Sequence, residues 1–360
     1  ISFGIGDPDI PTPKHILEAI STTTNDPQNH RYPETEGLPE LRKSIAAWYK
    51  HRFDVKLNYE NEILPLIGAK EGIGHFPLCY IDPGDVALIP DPAYPVYAVG
   101  TLFAGGISYP MPLTESNDWL PDLGNIPNDI AKKARMIWIN YPNNPTGALG
   151  NVSFFRDVIS FAKKNDIMVC HDAAYSEVTF DGYVAPSILE QPGALDHCVE
   201  FHSLSKTYNM TGWRIGMAVG NSSAIDALMR VKSNLDSGIP QAIQYAAIEA
   251  LGSPPSVVES NNRIYLTRRD KVLKTLRNIG LEVVTPKAGL YVWAKLPAGW
   301  TSAAFTAVLL DETDIVVTPG TGYGKSGEGF IRLSLTTPDD RIDQGLKRLS
   351  EWQIPSPTNS

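Results

Sequence analysis

The run Ser203-Leu204-Ser205-Lys206-Thr207-Tyr208-Asn209-Met210-Thr211-Gly212-Trp213-Arg214-Ile215-Gly216 sets a lysine and an arginine a short step apart among hydroxyl residues and glycines. Just upstream, Val199-Glu200-Phe201-His202 reads as a short strand, which puts Lys206 immediately beyond a strand's carboxyl end. In α/β proteins ligands bind in that position. A lysine among apolar and cationic neighbours loses solvation, its pKa falls, and the free amine attacks carbonyls. Arg214 offers a planar fork of donors that matches a phosphate. Together they suit a phosphorylated aldehyde held as a Schiff base. The plain alternative is a surface lysine after a strand, where most lysines lie.

Working outward, short apolar runs recur at Ile63–Ile67, Val86–Pro90, Met136–Ile139, Ile167–Cys170 and Gly216–Val219. Helix-like stretches such as Val152–Asn165 and Ala224–Ser233 lie between several of them. Apolar strands alternating with amphipathic helices predict an α/β unit whose largely parallel sheet is covered on both faces. From about Pro255 a charged helical pattern runs through Arg268, Arg269 and Lys271 to Asn278 and stops at Gly280, a usual helix-ending residue. Beyond it the texture changes to strands such as Leu290–Ala294 and Gly329–Ser334, a second and smaller α+β unit. Neither an internal repeat nor a low-complexity tract is visible. The Pro/Ser-rich end from Ile354 reads as a frayed tail.

Several polar residues sit where strands end. His171-Asp172-Ala173-Ala174-Tyr175 follows the Ile167–Cys170 run, so Asp172 stands at a carboxyl end, where a carboxylate could pair with a protonated pyridine nitrogen or merely cap a turn. Asn140-Tyr141-Pro142-Asn143-Asn144-Pro145-Thr146-Gly147 follows another strand, with prolines fixing the backbone around Asn144. Gly68-Ala69-Lys70 opens a helix after the Ile63–Ile67 run, and free amides at a helix start favour phosphate. Tyr94 follows Val86–Pro90 between prolines. Arg332 points opposite to Ile331 and Leu333 in a strand, and a buried arginine there must meet an anion. Gly322-Tyr323-Gly324-Lys325-Ser326-Gly327 fits a dinucleotide-binding pattern, but a strand follows where that pattern demands a helix. It reads instead as a flexible loop beside the site. No histidine spacing suggests a metal, and His171 and His202 read as packing residues.

These motifs, in this order, resemble the class I/II aminotransferases, the fold-type I enzymes that carry pyridoxal 5'-phosphate. The resemblance implies a seven-stranded, mostly parallel sheet in a large domain over 21–265 and a smaller α+β domain formed by 1–20 and 266–360. It implies that pyridoxal 5'-phosphate is bound covalently to Lys206, with Asp172 on the ring nitrogen and Tyr175 and Asn144 on the ring oxygen. Tyr94 is then stacked on the ring, and Ala69, Lys70, Ser203, Ser205 and Arg214 hold the phosphate. Arg332, Asn144 and Gly6 would receive the substrate α-carboxylate. The segment Tyr32-Pro33-Glu34-Thr35-Glu36-Gly37 matches one whose tyrosine reaches the phosphate of a neighbouring subunit, implying a homodimer with shared sites. Amino acids and 2-oxo acids are the implied substrates.

Within that family the runs around Tyr141, Cys170 and Phe201 look most like LL-diaminopimelate aminotransferases. Members of that subgroup carry a glutamate three residues after the tyrosine equivalent to Tyr32, where this chain has Thr35 between Glu34 and Glu36. Aspartate or neutral amino-acid transfer, and carbon–sulfur lyase or decarboxylase chemistry on the same fold, therefore stay open as alternatives. A net charge of -9 argues against nucleic acid as partner. No apolar run approaches the ~20 residues of a membrane span. Three scattered cysteines, Cys79, Cys170 and Cys198, fit a reducing cytoplasm. Because the chain opens at Ile1 without a methionine, a native segment is expected to precede it.

Overall fold

The structure, a computed structural model, describes residues 1–357; the last three residues of the expected tail lie outside them. Eleven strands follow one another along the described chain: β1 (Ile63–Leu66), β2 (Val86–Asp91), β3 (Ile107–Pro112), β4 (Ala134–Asn140), β5 (Met168–Asp172), β6 (Cys198–Ser203), β7 (Gly216–Gly220), β8 (Glu282–Val283), β9 (Tyr291–Lys295), β10 (Thr318–Pro319) and β11 (Phe330–Ser334). The first seven form one sheet in the order β1-β7-β6-β5-β4-β2-β3. Strands β3, β2, β4, β5 and β6 are parallel neighbours, while β7 runs antiparallel to both β6 and β1. The expected seven-stranded, mostly parallel sheet is what the chain builds.

Apolar side chains leave both faces of this sheet. Along β4, Ile137 and Ile139 enter one core with Val169, Leu88 and Val219, and Met136 and Trp138 enter the other with Cys170, Phe201 and Ala218. Period-two alternation thus feeds two cores, which is why these strands read as continuous apolar runs rather than as half-polar ones. Trp138 is fully buried and stacks on Tyr97 with ring centroids 4.8 Å apart. The helix Val152–Asn165 begins at Asn151, whose side chain accepts from Phe154 N, and it buries Phe155, Val158 and Ala162. The expected helix Ala224–Ser233 spans Ser222–Leu235, lengthened by the cap at Asn221.

The parallel strands deliver polar residues to one edge. Asn140 ends β4 opposite Asp172 at the end of β5, and Asp172 faces Phe201, shortly before the turn that carries Lys206.

The remaining strands make an antiparallel sheet, β10-β11-β9-β8, around a separate core that includes Tyr291, Val292, Ile331 and Leu333. The first residues of the chain join it: Phe3 N donates to Val316 O, and Ser334 N donates to Phe3 O, both at 2.7 Å. The helix Pro255–Asn278 runs unbroken past position 265 and buries two of its arginines, Arg268 and Arg269. Arg268 grips Asp9 through Nη1 at 2.6 Å and Nη2 at 2.9 Å, and bonds Asp339 and the Leu335 carbonyl as well. It therefore ties the amino-terminal segment to the last helix. The Glu34–Gly37 segment is a turn in which Gly37 N donates to Glu34 O.

Candidate active site

A cavity of about 570 Å³ opens where β4, β5 and β6 end, beneath the four-stranded sheet. Gly6, Ala69, Lys70, Tyr94, Asn144, Asp172, Tyr175, Ser203, Ser205, Lys206, Arg214 and Arg332 all line it, although the chain separates the first from the last by more than three hundred residues. Tyr32 does not. Its ring is 87% exposed and lies outside the lining of this chain's own cavity.

Lys206 sits on a single helical turn, Leu204–Thr207, started by the Ser203 side chain accepting from Ser205 N at 3.3 Å. Its Nζ donates to the Gly6 carbonyl at 2.9 Å. Burial disfavours its ammonium form, and although Asp7 opposes this, Arg214 and Arg332 add to it, so its pKa is lowered to about 8. The amine is therefore available near neutral pH. Gly6 has no room for a side chain, because a Cβ there would lie 2.0 Å from the Tyr291 hydroxyl.

Asp172 is 5% exposed, and the partners of its carboxylate are neutral: Tyr97 donates to Oδ2 at 2.7 Å and Ala174 N to Oδ1 at 3.2 Å. Burial raises its pKa, while those two hydrogen bonds and the neighbouring His171 pull the other way. Tyr97 is the residue that sequence reading missed here. It lies three positions after Tyr94 at the start of the helix Val96–Phe103, a spacing that brings side chains to a common face. Tyr94 packs edge-on against it, and burial pushes the Tyr94 hydroxyl up to about 12.

Arg332 has the complementary arrangement. It is buried, yet Nη1 donates to Asn144 Oδ1 and Nη2 to the Gly4 carbonyl, each at 2.8 Å, and Nε has no partner. A desolvated guanidinium that meets only neutral groups is costly unless an anion joins it. Asn144 is held for this contact by Asn140, whose Oδ1 accepts from Asn144 N at 2.8 Å and whose Nδ2 donates to Asp172 O at 2.7 Å. Tyr291, also missed, shares a 3.1 Å hydroxyl contact with Tyr175 and lies 3.9 Å from the Arg332 guanidinium.

At the other end, Arg214 adopts a left-handed backbone (φ +51), which costs a residue with a side chain roughly 1–3 kcal/mol and clusters at functional sites. Its Nη1 donates to Thr211 O at 2.9 Å and reaches Ser205 Oγ at 3.5 Å. Gly68 is left-handed too, and a Cβ on it would fall 2.3 Å from Arg214 Nη2. That backbone approach leaves the guanidinium, Ser203, Ser205 and the start of the helix Ala69–His75 around one hollow.

Reactivity of the amine tests this electrostatic reading. Reductive methylation of Lys206 in protein freed of small molecules, followed by mass spectrometry across pH, is expected to give a midpoint near 8. Arg214→Met removes a nearby positive charge and is expected to raise the midpoint, whereas Asp7→Asn is expected to lower it. A midpoint above 10, where ordinary lysines titrate, contradicts the reading.

Comparison with known proteins places this geometry. The family model for aminotransferase class I and II matches residues 1–349. An LL-diaminopimelate aminotransferase of Dehalococcoides mccartyi is 60% identical over 98% of this chain and 91% of its own length. One from Desulforudis audaxviator is 53% identical over 97% and 89%. Among solved structures, substrate-bound BacF from Bacillus subtilis superposes with a TM-score of 0.95 at 36% identity, covering 100% of this chain and 92% of that one. With the match extending from the first residue through the strand that carries Arg332 to the last helix, the chain belongs to the class I and II aminotransferases.

Proposed function

We propose that this aminotransferase works with pyridoxal 5'-phosphate on Lys206 and moves the amino group of LL-diaminopimelate to 2-oxoglutarate. The observation that carries the chemistry is a charge pattern. One cavity holds a buried anion, Asp172, and a buried cation, Arg332, each with only neutral partners, together with a lysine whose amine is readily free. A ligand with a cationic ring nitrogen and one with a carboxylate would complete them.

The residues present fit that cofactor. Arg214, Ser203, Ser205, Lys70 and Ala69 line one hollow, and Gly68, where a Cβ would collide with Arg214 Nη2, lets the guanidinium lie against the helix start, a donor set suited to a phosphate. Tyr94 offers an aromatic face for stacking, and Tyr175 and Asn144 offer donors. When bound, pyridoxal phosphate supplies an aldehyde that captures the amino group and a ring that accepts electrons from the substrate α-carbon. Asp172 would pair with the ring nitrogen and favour its protonated form, and Tyr97 and Ala174 keep that carboxylate aimed. Arg332 and Asn144 receive the α-carboxylate, with the Gly6 segment alongside. That orientation presents the α-hydrogen to Lys206, whose Nζ takes the proton and later returns it. An amine with a pKa near 8 suits both directions of transfer at physiological pH.

Three further readings belong with this one. The chain divides into a large unit over 21–265 and a small one from 1–20 and 266–360, with the cavity between them. Two chains share their sites: Tyr32, Glu34 and Glu36 are exposed and do not line their own cavity, which suits contribution to a neighbour's. The enzyme is cytoplasmic; no helix among the described residues is long and apolar enough to cross a membrane. The donor assignment is supported by the relatives that bear that activity in their names, with Glu34 or Glu36 taking the place of the glutamate that Thr35 displaces.

Two measurements check these readings. LL-diaminopimelate is expected to exceed aspartate, alanine and methionine in kcat/KM, and Glu34→Gln or Glu36→Gln is expected to erode that preference selectively. Should aspartate or a neutral amino acid win by about tenfold, near 1.4 kcal/mol of transition-state binding, the donor assignment is wrong. Mixing inactive Lys206→Ala and Tyr32→Ala chains is expected to restore activity above either parent. Each hybrid then carries one site with both lesions and one with neither. No recovery despite proven subunit exchange refutes the shared site.

A further inference from the structure

The glycine-rich run 322–327, expected to be a flexible loop, is instead folded and docked. It forms two 3-10 turns, Gly320–Tyr323 and Lys325–Gly327, between β10 and β11. Its two ends close on each other so tightly that a Cβ on Gly320 would lie 2.0 Å from the Gly327 carbonyl oxygen. The closed loop reaches across to the end of β2 on the large sheet. There Ala93 N donates to Tyr323 O at 2.8 Å, and Ser326 N donates to Asp91 Oδ1 at 3.2 Å. Gly324, at φ +138, lies so near that a Cβ would sit 1.9 Å from that same carboxylate oxygen. Only glycine allows the approach.

Docking has a consequence at the cavity. It brings the Tyr323 ring to 4.7 Å from the Arg332 guanidinium and edge-on to Trp293. Arg332 thus has two tyrosine rings against it, Tyr291 and Tyr323, and a buried Nε without a partner. An aromatic ring beside a desolvated guanidinium stabilises the charge without occupying its N–H donors, which stay available for a carboxylate. The run that anchors the loop, Asp91–Ala93, leads directly into Tyr94, which also lines the cavity.

We propose that the 320–327 loop is a clasp, held by Asp91 and the Ala93 amide, that sets Tyr323 against Arg332 and so tunes the site for substrate carboxylates. Asp91 and Tyr323 are positioning residues for that recognition. The inference rests on the reading that Arg332 receives the carboxylate, and the test separates the two. Glutarate, an unreactive dicarboxylate, is titrated calorimetrically into the pyridoxal-phosphate-loaded enzyme and its variants, and hydrogen exchange is followed over 320–327. Tyr323→Leu and Asp91→Ala are each expected to weaken glutarate about tenfold while cofactor affinity holds. Tyr323→Phe is expected to retain the wild-type value, because the ring rather than the hydroxyl meets Arg332. Asp91→Ala is also expected to speed exchange in the loop, and the double variant to lose no more than either single one, as residues acting through one contact are not additive. If Arg332→Gln abolishes binding but Tyr323→Leu and Asp91→Ala do not weaken it, the clasp is refuted and the Arg332 reading stands. If Arg332→Gln leaves glutarate affinity unchanged, both fall.

Discussion

Taking Lys206 out of water beside two arginines governs the rest of the site. An ammonium there meets desolvation and the fields of Arg214 and Arg332, against which Asp7 provides partial relief. The protein thereby eases loss of the ammonium proton, and the amine's hydrogen bond goes to the neutral Gly6 carbonyl rather than to a carboxylate. The same burial leaves Arg332 and Asp172 short of counter-charges. Each deficit is an instruction about what should bind. The protein's own groups leave Asp172 and Arg332 without a counter-charge in the two places where a ring nitrogen and a carboxylate would supply one.

The scaffold makes that incompleteness affordable. Parallel strands covered on both faces place Asn140, Asp172 and the Lys206 turn at adjacent edge positions, with Trp138, Tyr97 and Phe201 packed solidly behind them. Buried hydrogen bonds extend the support: Glu200 accepts from Tyr49, from Ser187 and from the Ile188 amide, and pairs with His171 at 2.9 Å next to Asp172. Arg332 comes from the other sheet, and Gly6 from the chain's first residues, so the cavity depends on the two sheets staying in register. Hydrogen bonds from Arg332 to Asn144 and from Ala93 N to Tyr323 O cross between them, while Arg268, bridging Asp9 and Asp339, fixes the amino-terminal segment to the last helix.

Much of this was legible in the sequence because its signals are local. Lys206, Asp172 and Asn144 each follow an apolar run of strand length, and the prolines and glycines around them limit the backbone. The helix Val152–Asn165 was read to the residue behind its Asn151 cap, and Pro255–Asn278 was read from about its start to its end. What escaped depends on tertiary contact. β3, exposed along much of its length, and the two-residue strands β8 and β10 carry little pattern. Nothing local distinguishes Tyr97, Tyr291 and Tyr323 from the other twelve tyrosines, since their importance arises from Asp172, Tyr175 and Arg332 arriving from elsewhere. Nothing local marks Arg268 and Arg269 as buried, since Asp9 and Asp181, which pair with them, are distant in the chain. The glycine loop was read as flexible because its docking partner, Asp91, is distant in the chain.

The central claim is that a free Lys206 amine moves one proton on a substrate whose nitrogen, and nothing else, is exchanged. A single half-reaction addresses it most directly. Pyridoxal-phosphate-loaded enzyme is mixed with LL-diaminopimelate without an acceptor, and 2-oxo acid, ammonia and carbon dioxide are quantified per site. The account predicts stoichiometric 2-oxo acid with no release of ammonia or carbon dioxide, and no product from Lys206→Ala. Catalytic release of ammonia or carbon dioxide, or a full half-reaction in Lys206→Ala, would contradict it.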